Sequence, residues 1–168
     1  QTASLAASVK DNAGVYLVPA FTGLGAPHWN ASVRGAIVGL CQDTSTAHLV
    51  RSALEAVCYQ TRDLLQAVHH DFSGRLAQMS VDGGMTQNTW LLQFLADMLA
   101  QPIQRSDCVE STALGAMSLA GVGAGYYSDL AAVHAMIPAG EVVQPIMQDD
   151  EREHCYRGWQ AALRKTMS

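Results

Sequence analysis

Two long stretches of the chain carry apolar residues at helical spacing. Between about Ser45 and His70, a mostly apolar stripe returns every three or four residues, at Val50, Leu54, Val57, Thr61, Leu65 and Val68. A second stretch, from about Thr86 to Ala100, repeats in the same way and ends before Pro102. Because this spacing places apolar residues on one face of an α-helix, it predicts two amphipathic helices, the first lying on a sheet.

Four shorter segments are typical of strands. They are rich in β-branched or apolar residues and are bounded by glycine, proline or polar residues: Gly14 to Phe21, Arg34 to Leu40, Leu76 to Val81 and Ile103 to Arg105. A loop rich in glycine and proline, Thr22 to Asn30, joins the first two strands. A loop of this length between successive strands indicates a hairpin or a sheet edge.

Further helices are predicted toward the C-terminus. One begins near Thr112 and has small residues that would allow close packing, a short one covers Leu130 to Met136, and the last runs from Asp149 to Lys165. The main elements follow the order β-β-α-β-α-β-α-α, which predicts an α/β layer fold with a partly parallel sheet. Gln1 to Lys10 is also typical of a helix and begins without methionine, so we expect the chain to be a fragment.

The amino-acid composition argues against several classes of function. The 168 residues suit one globular domain, with 49% hydrophobic and 15% charged residues. The net charge is −5 and the positive residues form no cluster, which argues against a nucleic-acid partner. No apolar run approaches the ~20 residues that would span a membrane. Four scattered cysteines favour free thiols in the cytoplasm over two disulfides.

The strongest candidate for chemistry is the segment from Asp82 to Asn88, where a predicted strand runs into Gly83 and Gly84 and then into a helix. Glycines let a ligand approach the backbone, and Asn88 offers a donor and an acceptor to a heterocycle. Ligands of open α/β sheets bind at the carboxyl ends of strands. The alternative is that the two glycines only make a tight connection.

Other motifs are absent from the sequence. There is no phosphate-binding loop of the G-x-x-x-x-G-K-[ST] type, and the glycines from 121 to 125 close a helix instead of opening one after a strand. The histidines have no metal-ligand spacing, and His28 beside Trp29 is either a contact surface or loop packing. The residues therefore predict no metal site and no catalytic acid, base or nucleophile.

Four motifs, in order, resemble the C-terminal domain of the FGGY carbohydrate kinases. They are Val18 to Trp29, Gly35 to Glu55, Val81 to Asn88 and Glu110 to Gly121. The second is similar to a family signature over its full length, including Gly35, Gly39 and Glu55. Within the family, the first, third and fourth are most similar to the glycerol kinases.

The resemblance implies an actin-like ATPase fold of the ribonuclease-H type, as the second of two domains with ATP in the cleft between them. It implies that Gly84 and Asn88 contact the adenine nucleotide, ATP or ADP, while Asp82 and Gly83 shape the loop. The catalytic aspartate and most ligands of Mg²⁺ would belong to an N-terminal domain that this sequence lacks.

The function implied by the resemblance is ATP-dependent phosphorylation of glycerol to glycerol 3-phosphate by a parent enzyme, with the isolated chain inactive. A homo-oligomer is also implied. Two alternatives stay open: a kinase for another polyol or sugar of the family, and a non-catalytic module for oligomerisation or regulation.

Overall fold

The computed structural model describes residues 1–72, 79–108, 110–136 and 140–168. Its helices are α1 (Thr2–Ala7), α2 (Thr46–Asp71), α3 (Thr89–Leu99), α4 (Ser111–Gly123), α5 (Leu130–His134) and α6 (Asp149–Met167). Its strands are β1 (Tyr16–Val18), β2 (Ala36–Val38), β3 (Met79–Val81), β4 (Ile103–Arg105) and β5 (Val142–Val143). A 3₁₀ turn spans Gly84–Gln87 between β3 and α3.

The described strands form two sheets. Strands β1 and β2 make an antiparallel hairpin in which Tyr16 pairs with Val38. In the second sheet β4 is central, parallel to β3 and antiparallel to β5. The predicted hairpin and the partly parallel sheet are both confirmed. Strand β5 has only two residues, too few to show an alternating pattern, and the sequence did not predict it.

Aromatic rings join the hairpin and three helices into one core. Tyr59 of α2 stacks on Trp159 of α6 with ring centroids 5.5 Å apart and meets Phe94 of α3 edge-on at 5.8 Å. Tyr16 of β1 lies 6.0 Å from the same tyrosine ring. Ring pairs in this range add to the free energy of burial. The core therefore fixes α3, and with it the turn that precedes α3, relative to α2 and β1.

Helix α2 does not bury the stripe that the sequence indicated. Val57 and Val68 are each 37% exposed, although Leu65 is buried. The buried face instead carries polar and charged residues among apolar ones: Ala47, Ser52, Glu55, Ala56, Cys58, Tyr59, Asp63 and Leu65. The prediction of this face was wrong because Glu55 and Asp63 both have partners, which makes their burial tolerable. Glu55 is paired with Asn12 and with Arg51 and Tyr59 of the same helix, and Asp63 is paired with α6.

Several predicted boundaries also need correction. The second long helix begins at Thr89 instead of Thr86, because the residues before it form the 3₁₀ turn. The first two strands are shorter than predicted, since Gly14 and Gly39 both have positive φ angles. Of the predicted strand Leu76 to Val81, Met79–Val81 is a strand, and residues 76–78 lie outside the described residues.

Helix α4 contributes little to the core. Ser118 is its only described buried residue, whereas Met117 and Leu119 are 61% and 62% exposed. Its small residues allow a close approach at one position, where a Cβ on Gly121 would lie 2.6 Å from the ring of Tyr127. The helix is therefore an apolar surface that the described part of the chain leaves largely uncovered.

The segment before α6 is held by Asp97 of α3. One carboxylate oxygen of this buried residue accepts hydrogen bonds from the backbone N–H groups of Ile146 and Met147, at 2.6 and 3.1 Å. The same oxygen also accepts a bond from Gln93 Nε2, at 3.1 Å. These bonds fix the chain just before α6 begins.

We expect Asp97→Ala to lower the free energy of unfolding by about 2 kcal/mol, because it leaves backbone donors without their charged acceptor. Urea denaturation of the chain measures the change. Asp150→Ala, at an exposed position on α6, is the control and should stay within about 0.5 kcal/mol of the wild type. Equal stabilities of the two variants would contradict the assigned role.

Candidate nucleotide-binding site

A cavity of about 420 Å³ opens where β3 ends and α3 begins. This volume lies within the range of small-molecule sites. Its lining comes from α1, α2, the 3₁₀ turn and the start of α3: Gln1, Thr2, Ala3, Leu54, Gly84, Met85, Gln87, Asn88 and Leu91. Two of the four predicted site residues, Gly84 and Asn88, line the cavity, and Asp82 and Gly83 precede them in the same turn.

The two glycines of the turn differ in what they do. Gly83 has a φ of +90°, a conformation that side chains with a Cβ rarely adopt, so the backbone itself explains this glycine. Gly84 has no such strain, and a Cβ added to it would meet nothing within 4 Å. Neither backbone conformation nor internal packing therefore requires Gly84 to be glycine. Its bare backbone leaves part of the cavity free for a ligand.

Asn88 is the N-cap of α3. Its side-chain oxygen accepts a hydrogen bond of 3.1 Å from the backbone N–H of Leu91. From the sequence we expect this side chain to offer a ligand both a donor and an acceptor, but the helix already uses the acceptor. Within the described residues Nδ2 donates no hydrogen bond, which leaves the amide N–H groups for a ligand.

The backbone of the turn adds further donors. The N–H groups of Gly84 and Met85 bond to no acceptor in the described part of the chain, whereas those of Thr86 and Asn88 bond back within the turn. The side chain of Asp82 is exposed beside the turn. The cavity thus combines the apolar side chains of Leu54, Met85 and Leu91 with a few donors, a composition typical of small-molecule sites.

Sequence reasoning missed the wall that α1 and α2 give to this cavity. Helix α1 lies between 77 and 82 positions before Gly84 in the chain, and Leu54 is an ordinary position of an amphipathic helix. Neither carries a motif. Only the folding of α1 against α2 and α3 brings them to the cavity, so no local signal could have found them.

A buried charged pair lies behind that wall. Glu55 is 2% exposed and forms an ion pair with Arg51, with Nε 2.7 Å from Oε1. Its other oxygen accepts bonds from Asn12 Nδ2 at 2.8 Å and from the Tyr59 hydroxyl at 3.0 Å. Burial raises the pKa of Glu55, while the guanidinium and these donors oppose the shift. Desolvation by burial, and then the same carboxylate, raise the pKa of the Tyr59 hydroxyl.

The described residues include no cluster of three side chains suited to a metal ion. All four cysteines are free, and burial raises the pKa of Cys155 to about 11, which disfavours the reactive thiolate. His28 contacts Asp63 at 3.6 Å, so this loop residue packs against α2 while its neighbour Trp29 is exposed. Among the described helices, none combines the length and apolarity that a membrane span requires.

Comparison with known families identifies the domain. The model of the C-terminal domain of the FGGY family of carbohydrate kinases matches residues 1–124. The chain therefore belongs to the FGGY family of carbohydrate kinases, and the fold is the actin-like α/β domain predicted from its motifs.

The similar proteins include several glycerol kinases. Those of Coxiella burnetii and Rhodospirillum centenum are 50% and 49% identical to this chain, over 98% and 100% of its length. A Plasmodium falciparum glycerol kinase with ADP superposes with a TM-score of 0.86 at 30% identity, over 99% of this chain and 33% of that one. A xylulose kinase from Rhodospirillum rubrum superposes with a TM-score of 0.78 at 26% identity, over 98% of this chain and 33% of that one. The chain spans 33% and 34% of the two relatives in sequence.

Proposed function

We propose that this chain supplies the adenine-nucleotide side of the cleft of a kinase that phosphorylates glycerol to glycerol 3-phosphate. The observation that carries the proposal is the cavity at the end of β3, where unstrained Gly84 and the free amide of Asn88 face the same space. Membership of the FGGY family and the similarity to glycerol kinases support it. The parent enzyme would need a further domain, which fits the greater length of the relatives.

In this proposal the residues of the cavity bind and orient the nucleotide. Leu54, Met85 and Leu91 contact the faces of the purine, and the Nδ2 group of Asn88 donates to a ring nitrogen. The N–H groups of Gly84 and Met85 donate to oxygen atoms of the ribose or phosphates. Such positioning is a large part of catalysis in phosphoryl transfer. The base that receives the hydroxyl proton of the acceptor would lie in the other domain.

Mg²⁺ fits this arrangement only as part of a shared site. It binds kinases through nucleotide phosphates and one or two carboxylates. Asp82 is one exposed carboxylate beside the turn, and no three-residue cluster accompanies it among the described residues. The proposal therefore assigns the other ligands to the nucleotide and to the domain outside this chain, where the ion would neutralise phosphate charge.

Glycerol as the acceptor is favoured over another polyol or sugar by the similar proteins. The kinases that match over nearly the whole chain at about half identity are glycerol kinases. The xylulose kinase from Rhodospirillum rubrum is 26% identical. We place the enzyme in the cytoplasm, since four free cysteines suit a reducing compartment.

A second candidate function is a module for assembly. The observation that favours it is the exposed apolar surface of α4 at Met117 and Leu119. The greater length of the relatives supports a different explanation, in which the remaining part of the same polypeptide covers this apolar surface. Sedimentation of the chain distinguishes the two, because an assembly module should form a defined oligomer on its own.

Titration of ADP into the chain, followed by calorimetry, tests the nucleotide site. We expect Asn88→Asp to weaken ADP binding by about tenfold or more, because it removes the amide donor and adds a charge. The new carboxylate still caps α3, so the free energy of unfolding should change by less than about 0.5 kcal/mol. Gly84→Val should also weaken binding, since its side chain would enter the cavity.

The control is Gly115→Ala, a glycine of α4 whose added Cβ would also meet nothing within 4 Å. It lies outside the cavity lining and should bind ADP like the wild type. If Asn88→Asp and Gly84→Val bind as tightly as this control, the turn is not the nucleotide site.

A further inference from the structure

We propose that Arg51 and Glu55 are positioning residues for the nucleotide: the pair holds α1 at the distance from the turn Gly84–Asn88 that the purine requires. The proposal rests on the nucleotide site proposed above and adds to it the device that sets the width of the cavity. Neither residue lines the cavity. Both act through α1, whose first residues, Thr2 and Ala3, line the cavity together with Asn88.

Arg51 joins three parts of the molecule that surround the cavity. Its Nη1 group donates to the backbone carbonyl of Val9 at 2.7 Å and to that of Ala6 at 3.5 Å, which fixes the C-terminal end of α1. Its guanidinium carbon lies 5.1 Å from the centre of the Trp90 ring, on α3. Trp90 directly precedes Leu91, which lines the cavity. One side chain therefore contacts residues that adjoin two parts of the cavity lining, the one from α1 and the one from α3.

Glu55 fixes the orientation of that guanidinium. It is the partner four residues along α2, and its second oxygen accepts a bond from Asn12, just beyond α1. Glu55 thus contacts the N-terminal segment directly and also through Arg51. A planar guanidinium held by a carboxylate presents its remaining N–H groups in fixed directions. The carbonyl groups of Ala6, near the end of α1, and of Val9, two residues beyond it, lie in those directions.

Helix α1 depends on these contacts more than a longer helix would. It has six residues, and helices of this length are not stable by themselves. Ala6 is its only buried residue, so burial of apolar side chains fixes it weakly. The hydrogen bonds from Arg51 to the carbonyl groups of Ala6 and Val9 therefore add a directional restraint to the packing of α1 against α2 and α3. A small displacement of α1 would widen the cavity and reduce its contact with a planar ligand.

The test uses the full-length protein that carries this domain, with Arg51→Met and Glu55→Gln as variants. Met keeps the length and apolar stem of Arg51 but removes the N–H groups, and Gln keeps the shape of Glu55 without its charge. The measurements are the Kd of ADP, the KM of ATP, the KM of glycerol, kcat and the midpoint of thermal unfolding. Asp63→Asn is the control, a second buried carboxylate on α2 that faces away from the cavity.

We expect Arg51→Met to raise the Kd of ADP and the KM of ATP by about tenfold. Glu55→Gln should bind ADP several-fold more weakly than the wild type. In both variants the KM of glycerol and kcat should be nearly unchanged. Arg51→Lys should recover part of the affinity, because one N–H group can still reach the Val9 carbonyl. Asp63→Asn should lower the thermal midpoint without changing the Kd of ADP. That contrast separates positioning from a loss of stability.

Failure of the positioning role and failure of the proposed function give different results. If Asn88→Asp weakens ADP binding but Arg51→Met and Glu55→Gln bind within about twofold of the wild type, the nucleotide site stands and the positioning role is wrong. The positioning role is also wrong if Asp63→Asn weakens binding as much as they do. If the wild-type protein binds no ADP, or Asn88→Asp binds it equally well, the proposed function itself fails.

Discussion

Replacing Asp63 by alanine is expected to lower the free energy of unfolding by about 3 kcal/mol, because Trp159 Nε1 loses its buried acceptor and the Tyr156 hydroxyl keeps only Gln66 Oε1. The carboxylate of Asp63 is buried and accepts bonds from two residues of α6, the Tyr156 hydroxyl and Trp159 Nε1 at 2.8 Å. Trp159 is 1% exposed, so water cannot replace the lost acceptor there. Urea denaturation of the chain, followed by tryptophan fluorescence, gives the value.

Two variants on the same helix show whether the buried bonds are responsible. Asp71→Ala removes an exposed aspartate from the end of α2 and should change the free energy of unfolding by less than about 0.5 kcal/mol. Asp63→Asn keeps one oxygen acceptor, so its loss of unfolding free energy should lie between those of the two alanine variants, at about 2 kcal/mol. A loss below about 1 kcal/mol for Asp63→Ala would mean that α6 does not depend on this residue.

The contrast between α2 and α3 shows what apolar spacing can predict. For α3 the spacing gave both the helix and its buried face, because Leu91, Phe94 and Met98 are all buried. For α2 it gave the helix and the wrong face. The buried positions Glu55 and Asp63 are charged, and their partners include residues of the N-terminal segment and of α6. A rule that reads only neighbouring residues cannot anticipate compensation from residues so far away in the sequence.

The candidate site was predictable to a similar extent. The strand, the two glycines and Asn88 are adjacent in sequence, so a local motif could indicate a ligand. The separate roles of Gly83 and Gly84 depend on backbone angles and on the free space around each residue, and neither can be read from the amino-acid sequence. The cavity wall from α1 is brought to the turn by tertiary contacts, such as the hydrogen bond from Arg51 to the Val9 carbonyl. The nucleotide role of the four predicted residues remains a prediction for the ADP titration.

The glycines that end the β1–β2 hairpin explain part of the family signature. Gly39 has a φ of +89°, and a Cβ on it would lie 2.0 Å from the carbonyl oxygen of Gly14. Both atoms belong to the backbone, so no side-chain rotation can relieve the contact. Gly14 has a φ of +75° but open space around it. Substituting alanine at these two positions therefore distinguishes the energetic cost of a steric clash, at Gly39, from the cost of a positive φ angle alone, at Gly14.

We expect Gly39→Ala to lose more than about 4 kcal/mol of stability and to leave much of the chain unfolded, since the clash requires the hairpin backbone to separate. Gly14→Ala, which meets only the conformational penalty, should lose about 1–2 kcal/mol. Gly115→Ala, inside α4 with open space around it, should be neutral or gain up to about 1 kcal/mol. Circular dichroism during thermal unfolding measures all three. Equal losses at positions 39 and 14 would show that positive φ, and not the close approach of the two strands, requires the signature glycine.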